Sequence, residues 1–184
     1  MTHTRDRQNL ITATDIAKLA TRRLNAWEDL RQTKLTGVSS FQGNAFTEHG
    51  IEREPFIAAH VQAYFYLVPN SQIFVKRGTI HAATPDGVSE SRNGEYKTTT
   101  TDWGFLEASE LQKKKSAYYD QVQWAQYVRD VEETIFAWEP HESFSPLPIK
   151  TLLVPRDESR IEFLQEIADA FVDFMNGSRP SFLR

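Results

Sequence analysis

Thr84-Pro85-Asp86-Gly87-Val88-Ser89-Glu90-Ser91-Arg92-Asn93-Gly94-Glu95-Tyr96-Lys97 is the stretch on which the fold turns. Asn93-Gly94 lies between two short runs, 88–90 and 95–99, and Asn-Gly in that setting is the strongest local signal for a tight hairpin turn. The residues before it, 72–76 and 78–83, are rich in Ile, Phe, Val and Thr and predict two more strands. Glu95-Tyr96-Lys97 is the only Glu-x-Lys in the chain. In a strand, residues i and i+2 point to the same face, so Glu95 and Lys97 project together. A hairpin through Asn93-Gly94 brings both near Asp86. Two carboxylates beside a lysine make a hard-oxygen site for Mg2+, and the lysine can hold or polarise a water and neutralise a phosphate. That is the equipment for metal-assisted hydrolysis of a phosphodiester. A solvated hairpin with an ordinary Glu/Lys pair fits the same residues, and on this short pattern alone that plainer reading is preferred.

Outward from this block, helices flank the strands. Over 11–31, Ile16, Leu19, Ala20, Leu24, Trp27 and Leu30 recur at spacings of three and four and give one apolar stripe. Thr12 and Asp15 form a capping box at its start. The segment 36–44 holds Gly, Ser and Asn and reads as a loop. A second helix is expected over 54–66, with Pro55 in its first turn. Glu54 would then offer a third carboxylate from a helix start, a place that acidic residues favour in any case. A third helix covers 116–129, where Gln121 shares a face with Tyr118, Ala125 and Val128. A Gln on a packed face needs a partner, which a phosphate, a water or the backbone can each supply. Strands are expected over 134–138 and 149–154, and a last helix over 157–175 with Gly177 as its stop. The element order predicts one α/β domain over 1–184, a mixed sheet with helices packed on it.

Composition narrows the chemistry. The chain has 184 residues, 40% of them apolar and 12% aromatic, which is globular composition. It has no cysteine, which excludes a disulfide scaffold, a Cys-based zinc site, an iron–sulfur cluster and a cysteine nucleophile. The histidines, His3, His49, His60, His81 and His141, show no H-x-x-x-H pairing and read as surface or core filler. There is no Walker-type phosphate loop, no G-x-G-x-x-G and no G-x-S-x-G. No apolar run approaches a membrane span and no signal core follows the start, so a soluble cytoplasmic protein is expected. With 21 Lys+Arg against 25 Asp+Glu the net charge is −4, which argues weakly against a nucleic-acid binder. Local charge matters more: Lys113-Lys114-Lys115 precedes the Gln121 helix and could contact a phosphate backbone, whereas Arg22-Arg23 reads as a solvated helix end. Trp103 and Phe105 fit either a stacking surface or a loop anchor.

Taken in order, these pieces resemble the PD-(D/E)XK nucleases, and more narrowly the lambda exonuclease family, the YqaJ-type viral recombinases. Arg7 followed by Leu10-Ile11-Thr12-Ala13-Thr14 resembles the family's Arg…Ile-Thr-Ala-Ser segment. Gly50 with Glu54 matches Gly-x-x-x-Glu, and Thr84-Pro85-Asp86-Gly87 matches Ser-Pro-Asp-Gly. Glu95-Tyr96-Lys97 matches the Glu-x-Lys, and Tyr118 with Gln121-Val122-Gln123 matches the Tyr…Gln-x-Gln helix. The Trp that often precedes the family's N-terminal Arg is missing here. The resemblance implies a restriction-endonuclease-like core, a mixed central sheet flanked by helices. It implies an enzyme that uses Mg2+, or Mn2+ in its place, to degrade linear double-stranded DNA from the 5′ end. The 3′ single strand left behind would go to an annealing protein. By resemblance Asp86 and Glu95 would bind the metal with the main-chain carbonyl of Tyr96, Lys97 would orient the attacking water, and Glu54 would complete the acidic site. Arg7, Thr14, Thr84 and Gln121 would correspond to groups that hold the terminal 5′ phosphate, with Thr12 and Lys115 as further DNA contacts. The resemblance also implies a phage or prophage protein in a bacterial cell, assembled as a homo-oligomer, a trimer in the lambda enzyme. The alternatives are an endonuclease or single-strand nuclease of the same fold, or a DNA-binding module without catalysis.

Overall fold

The computed structural model describes residues 7–38 and 43–184. In chain order its elements are α1 (Ala13–Leu19), α2 (Leu24–Thr36), α3 (Ala45–Phe65), β1 (Val68–Pro69), β2 (Phe74–Val75), β3 (Ala82–Ala83), β4 (Gly87–Val88) and β5 (Arg92–Thr99). They continue as α4 (Ala108–Lys114), α5 (Ser116–Arg129), β6 (Glu133–Glu142), β7 (Ser145–Pro146), β8 (Lys150–Pro155) and α6 (Glu158–Met175).

The mixed sheet is centred on β6. It pairs in parallel with β5, Glu95 opposite Phe136 and Lys97 opposite Trp138, and antiparallel with β8. β4 and then β1 continue the sheet beyond β5, while β7 folds back on the end of β6. β6 is buried on both faces, as a central strand must be. Phe136 and Trp138 pack with Phe105, Leu111, Tyr119 and Val122 on the side of α4 and α5. Ile135 and Ala137 pack with Ile57, Ala58 and Val61 of α3 on the other side. The residues flanking these rows extend each face: Thr134 accepts from Gln126 Nε2 at 3.0 Å, and Glu139 takes Arg53 of α3 in a bidentate pair at 2.7 and 2.8 Å. A third cluster joins α1, α2, α5 and α6 around Trp27, whose ring meets Phe171, Phe174 and Phe182 edge-on. Among the described residues no helix is long and apolar enough to cross a membrane.

Several sequence expectations are corrected. The single helix expected over 11–31 is two, because Arg22 takes a left-handed φ of 56° and turns the chain. The apolar stripe runs through the break because α1 and α2 bury into the same core. Arg22 is not a solvated end: its guanidinium lies 4.9 Å from the rings of both Phe163 and Phe182. The helix expected at 54–66 begins at Ala45, where the Asn44 side chain accepts from the Phe46 and Thr47 N–H groups. Pro55 therefore lies inside α3, and Glu54 is mid-helix rather than at a helix start. Ile51, one turn earlier, is 67% exposed, so water can satisfy the carbonyl that Pro55 leaves without a donor. The strands expected at 72–76 and 78–83 shrink to β2 and β3.

Asn93-Gly94 is not the turn. Ser89 and Arg92 close it, with the Ser89 N–H donating to the Arg92 carbonyl at 3.0 Å. Asn93 and Gly94 sit in β5 opposite Val88 and Gly87. The glycines answer to packing rather than to a positive φ. A Cβ on Gly87 would stand 2.1 Å from the Tyr96 hydroxyl oxygen, and one on Gly94 2.6 Å from it. The Tyr96 ring lies across both, so neither position tolerates a side chain without a shift.

Candidate active site

β4 is only two residues long, so the edge of β5 is unpaired beyond Gly94. Asp86 manages that edge. Its N–H donates to the Gly94 carbonyl at 2.9 Å, and its carboxylate accepts from the Tyr96 N–H at 2.7 Å. One side chain thus replaces a strand for one rung of the ladder. Because Gly94 and Tyr96 both turn their main-chain groups toward β4, the Tyr96 carbonyl is the next acceptor on the uncovered edge. Glu95 and Lys97 project from the opposite pleat face and form an ion pair with each other. The i, i+2 expectation holds, and the Lys97 ammonium lies 5.4 Å from the Tyr118 ring centre on α5.

The electrostatics follow from this crowding. Burial, then the charge of Glu95, pushes the Asp86 carboxyl up to about 8, against the pull of Lys97 and the Tyr96 N–H. Burial works against the Lys97 ammonium, but Glu95 and Asp86 outweigh it and raise its pKa above the ordinary lysine value. Lys97 is therefore a standing cation and hydrogen-bond donor. The carboxylates still outnumber it, since Glu54 adds its negative field to Asp86.

Eleven residues singled out from the sequence line one cavity of about 940 Å³: Arg7, Thr12, Thr14, Glu54, Thr84, Asp86, Glu95, Tyr96, Lys97, Lys115 and Gln121. A parallel bridge between Ile11 and His81 lays the N-terminal segment beside β3. From there Arg7 Nη2 donates to Thr84 Oγ1 at 3.3 Å. Gly50 brings α3 close to β5, where a Cβ would stand 3.4 Å from Thr98 Oγ1, and Glu54 follows one turn later. Gln121 is half-buried at the cavity wall with Tyr118 and does not join Ala125 and Val128 in the core. Its polar group needs no buried partner.

Some candidates have other duties. The Thr12 hydroxyl is the α1 cap, accepting from the Asp15 N–H at 3.3 Å and donating to Asp15 Oδ2 at 2.8 Å. It thus serves the helix while also lining the cavity. Lys114 pairs with Glu110, whereas the Lys115 ammonium lies 5.1 Å from the Trp103 ring at the cavity wall. Phe105 is buried and is a loop anchor, and Trp103 stacks on it while also lining the cavity. His49 and His141 are not isolated filler: their rings meet edge-on at 4.6 Å, and His141 reaches the cavity. Asn44, Phe46 and Thr47 also line it, and the sequence reading missed them by starting α3 too late. The signal was present in Asn44, a favoured cap residue ahead of an apolar period.

Asp86 and Glu95 line this cavity beside Lys97, and the Tyr96 carbonyl is the next acceptor on the open edge of β5. These are hard oxygen donors, and an Asp86 carboxyl whose pKa is raised by burial and then by Glu95 gains from a neighbouring cation, which fits a hard divalent ion. Among the described residues no three His, Cys, Asp or Glu side chains converge as a ligand set.

Comparison with known proteins agrees with the geometry. The structure is similar to that of LHK-Exo in complex with dAMP, with a TM-score of 0.75 and 20% identity over 94% of this chain and 90% of that one. It is also similar to the alkaline exonuclease LHK-Exo from Laribacter hongkongensis, at TM-score 0.72 and 20% identity over 92% and 89% of the two chains. A phage-related exonuclease from Haemophilus somnus 129PT gives 0.71 and 17% identity over 91% and 93%. These similarities establish the PD-(D/E)XK-like fold, a curled mixed sheet between helices. No curated protein sequence matches the chain. The model of the YqaJ-like viral recombinase domain matches residues 2–132, more than two-thirds of the length. The chain belongs to the family of YqaJ-like viral recombinase domains.

Proposed function

We propose that this chain is a Mg2+-dependent 5′-to-3′ exonuclease on linear double-stranded DNA, a single nuclease domain that leaves 3′ single strands for an annealing protein. The family and its exonuclease relatives support a nuclease. The observation that carries the finer reading is the gathering of Asp86, Glu95, Lys97, Glu54, Arg7, Thr14, Thr84 and Gln121 around one cavity.

Asp86, Glu95 and the Tyr96 carbonyl would hold the cation. When bound, it supplies Lewis-acid stabilisation of the charge that builds on the phosphoryl oxygens. Lys97, charged at working pH, donates to the attacking water and fixes its approach; it has no lone pair with which to take the proton. Glu54, exposed on the cavity wall, would receive that proton, directly or through solvent, as the bond from phosphorus to the 3′ oxygen breaks and that oxygen takes a proton from solvent. Arg7 and Thr84 already share a hydrogen bond, and Arg7's remaining donors suit a terminal 5′ phosphate, with Thr14 and Gln121 beside them. A bound terminal phosphate would set the register between the strand end and the bond to be cut.

The test is digestion of end-labelled linear duplex with Mg2+, with and without a 5′ phosphate, by the wild type, Lys97→Ala and Asp86→Ala. Loss of 5′-end release in both variants and faster release from phosphorylated ends are expected. Undiminished digestion by either variant overturns the assignment. Nicking of closed circular duplex would favour the endonuclease alternative, and binding without cleavage the non-catalytic one.

A further inference from the structure

Lys34 sits in the last turn of α2, where a lysine ordinarily extends into solvent and complements its own helix dipole. Here it turns inward. Its side chain is only 10% exposed, and its three N–H donors go to the Arg7 carbonyl at 3.0 Å, the Leu10 carbonyl at 2.6 Å and Asp15 Oδ2 at 2.7 Å. An ammonium has three donors, so none is left over. Two of them grip the main chain of the segment that carries Arg7. The third reaches the carboxylate oxygen that also accepts from Thr12 in the α1 cap. The same segment meets α2 at a second point, because a Cβ on Gly37 would stand 3.3 Å from the Gln8 side chain. Lys34 itself is not at the acidic cavity. It lines a separate cavity of about 250 Å³ with Leu10 and Ile80.

We propose that Lys34 is a positioning residue for terminal-phosphate recognition: it fixes the backbone from which Arg7 reaches Thr84 and the cavity, without touching substrate. The proposal rests on the reading of Arg7 as a ligand of the 5′ phosphate. Arg7 is exposed and among the described residues its side chain makes one hydrogen bond, of 3.3 Å, which is too little to hold a long, flexible cation in place. Its aim must come from its main chain. The Leu10 N–H closes the turn on the Arg7 carbonyl at 3.2 Å, and Lys34 clamps that turn to α2.

The chain contains no cysteine, so Lys34→Cys can be alkylated selectively with 2-bromoethylamine, restoring an ammonium at nearly the native length. KM and kcat are measured on duplexes with 5′-phosphate and 5′-hydroxyl ends for the wild type, Lys34→Met, Lys34→Cys and the alkylated Lys34→Cys. In the Met and Cys variants the preference for phosphorylated ends should fall about tenfold, mainly through KM, on the scale that a misplaced binding group costs. Hydrolysis of hydroxyl ends should be unchanged, and alkylation should restore the preference. An unchanged preference in Lys34→Met overturns the proposal. So does an equal loss on both substrates together with a lowered melting temperature, the signature of a merely structural residue. A wild type with no preference removes the phosphate reading itself, a failure distinct from a wild-type preference that survives in the variants.

Discussion

Asp86→Asn separates what this carboxylate does to stability from what it does for chemistry. Burial, then Glu95, pushes the Asp86 carboxyl from an ordinary 3.8 up to about 8. With the folded value raised, the stability tied to its proton is fully present below 3.8 and is lost as the pH rises through about 8. At about 1.4 kcal/mol for each tenfold change in acidity, ionising Asp86 in the metal-free site costs at most about 6 kcal/mol. The cavity is open, so solvent and buffer cations offset much of that, and about 2 kcal/mol is the expected working figure. Asparagine keeps an oxygen for the Tyr96 N–H, 2.7 Å away in the wild type, and carries no charge. In EDTA near pH 9, Asp86→Asn should melt about 4–8 °C above the wild type, given the size of the chain. At about pH 5.5 the gap should shrink to less than half, because Asp86 is protonated in the fold while the unfolded carboxyl has already ionised, and it should vanish only below 3.8. Added Mg2+ should raise the wild-type melting temperature near pH 9 and leave the variant almost unmoved. Thermal denaturation by circular dichroism at the two pH values checks this. A variant that gains nothing at high pH, or gains equally at both, refutes the claim that charge on Asp86 is penalised in the metal-free fold.

Three further outcomes are expected. Gly94→Ala puts a Cβ 2.6 Å from the Tyr96 hydroxyl oxygen and should cost about 2 kcal/mol in urea denaturation; Tyr96→Phe, which removes the colliding atom, should recover part of it. Asp120 is 2% exposed and holds Arg160 at 2.7 and 2.9 Å, so Asp120→Ala should lose about 3–5 kcal/mol by leaving a part-buried guanidinium without its partner. Trp27→Ala opens the helical core and removes the Nε1 donor to the Leu19 carbonyl at 2.9 Å, leaving that oxygen to the Arg22 N–H; calorimetry should report a loss of about 3–5 kcal/mol.

The helix at 116–129 was legible to the residue, because an apolar period, a clear stop and little competing turn chemistry all agree there. The last helix and β8 were legible to within a residue, whereas β6 runs on to Glu142, past the 134–138 expected and into the stretch read as a connection. The failures share one cause: local signals whose meaning tertiary packing overrode. Asn93-Gly94 has turn chemistry, yet its glycine serves the Tyr96 ring. Pro55 belongs in a first turn by propensity, yet the Asn44 cap and the buried Ile57, Ala58 and Val61 carry α3 through it. The break at Arg22 has no local marker, since its left-handed backbone is held by Phe163 and Phe182 from distant parts of the chain. For the site, chemistry and order were legible and division of labour was not. Thr12 carries a hydroxyl like Thr14 and lines the same cavity, and only the structure shows that it also caps a helix. Lys34 resembles any surface lysine until its three partners are known.

What the sequence conceals most is that the site is made by a missing strand. Had β4 begun before Gly87, its backbone would have paired with the edge of β5 and buried the Tyr96 carbonyl in a ladder. The chain instead diverges at Pro85-Asp86, and a carboxylate takes the place of the next carbonyl on the edge. That substitution leaves an acidic, partly desolvated edge where an ordinary sheet would be neutral. It also explains why a net charge of −4 does not speak against a DNA enzyme. Asp86, Glu95 and Glu54 are counted in that total, but on the proposed reading their negative field draws the cation to the place where the phosphate would follow. Repulsion of DNA by the whole chain is screened within about 10 Å at ordinary ionic strength, whereas Arg7, Lys97 and Lys115 act at contact distance. The sign that decides binding is therefore that of the cavity with its cation, not that of the composition.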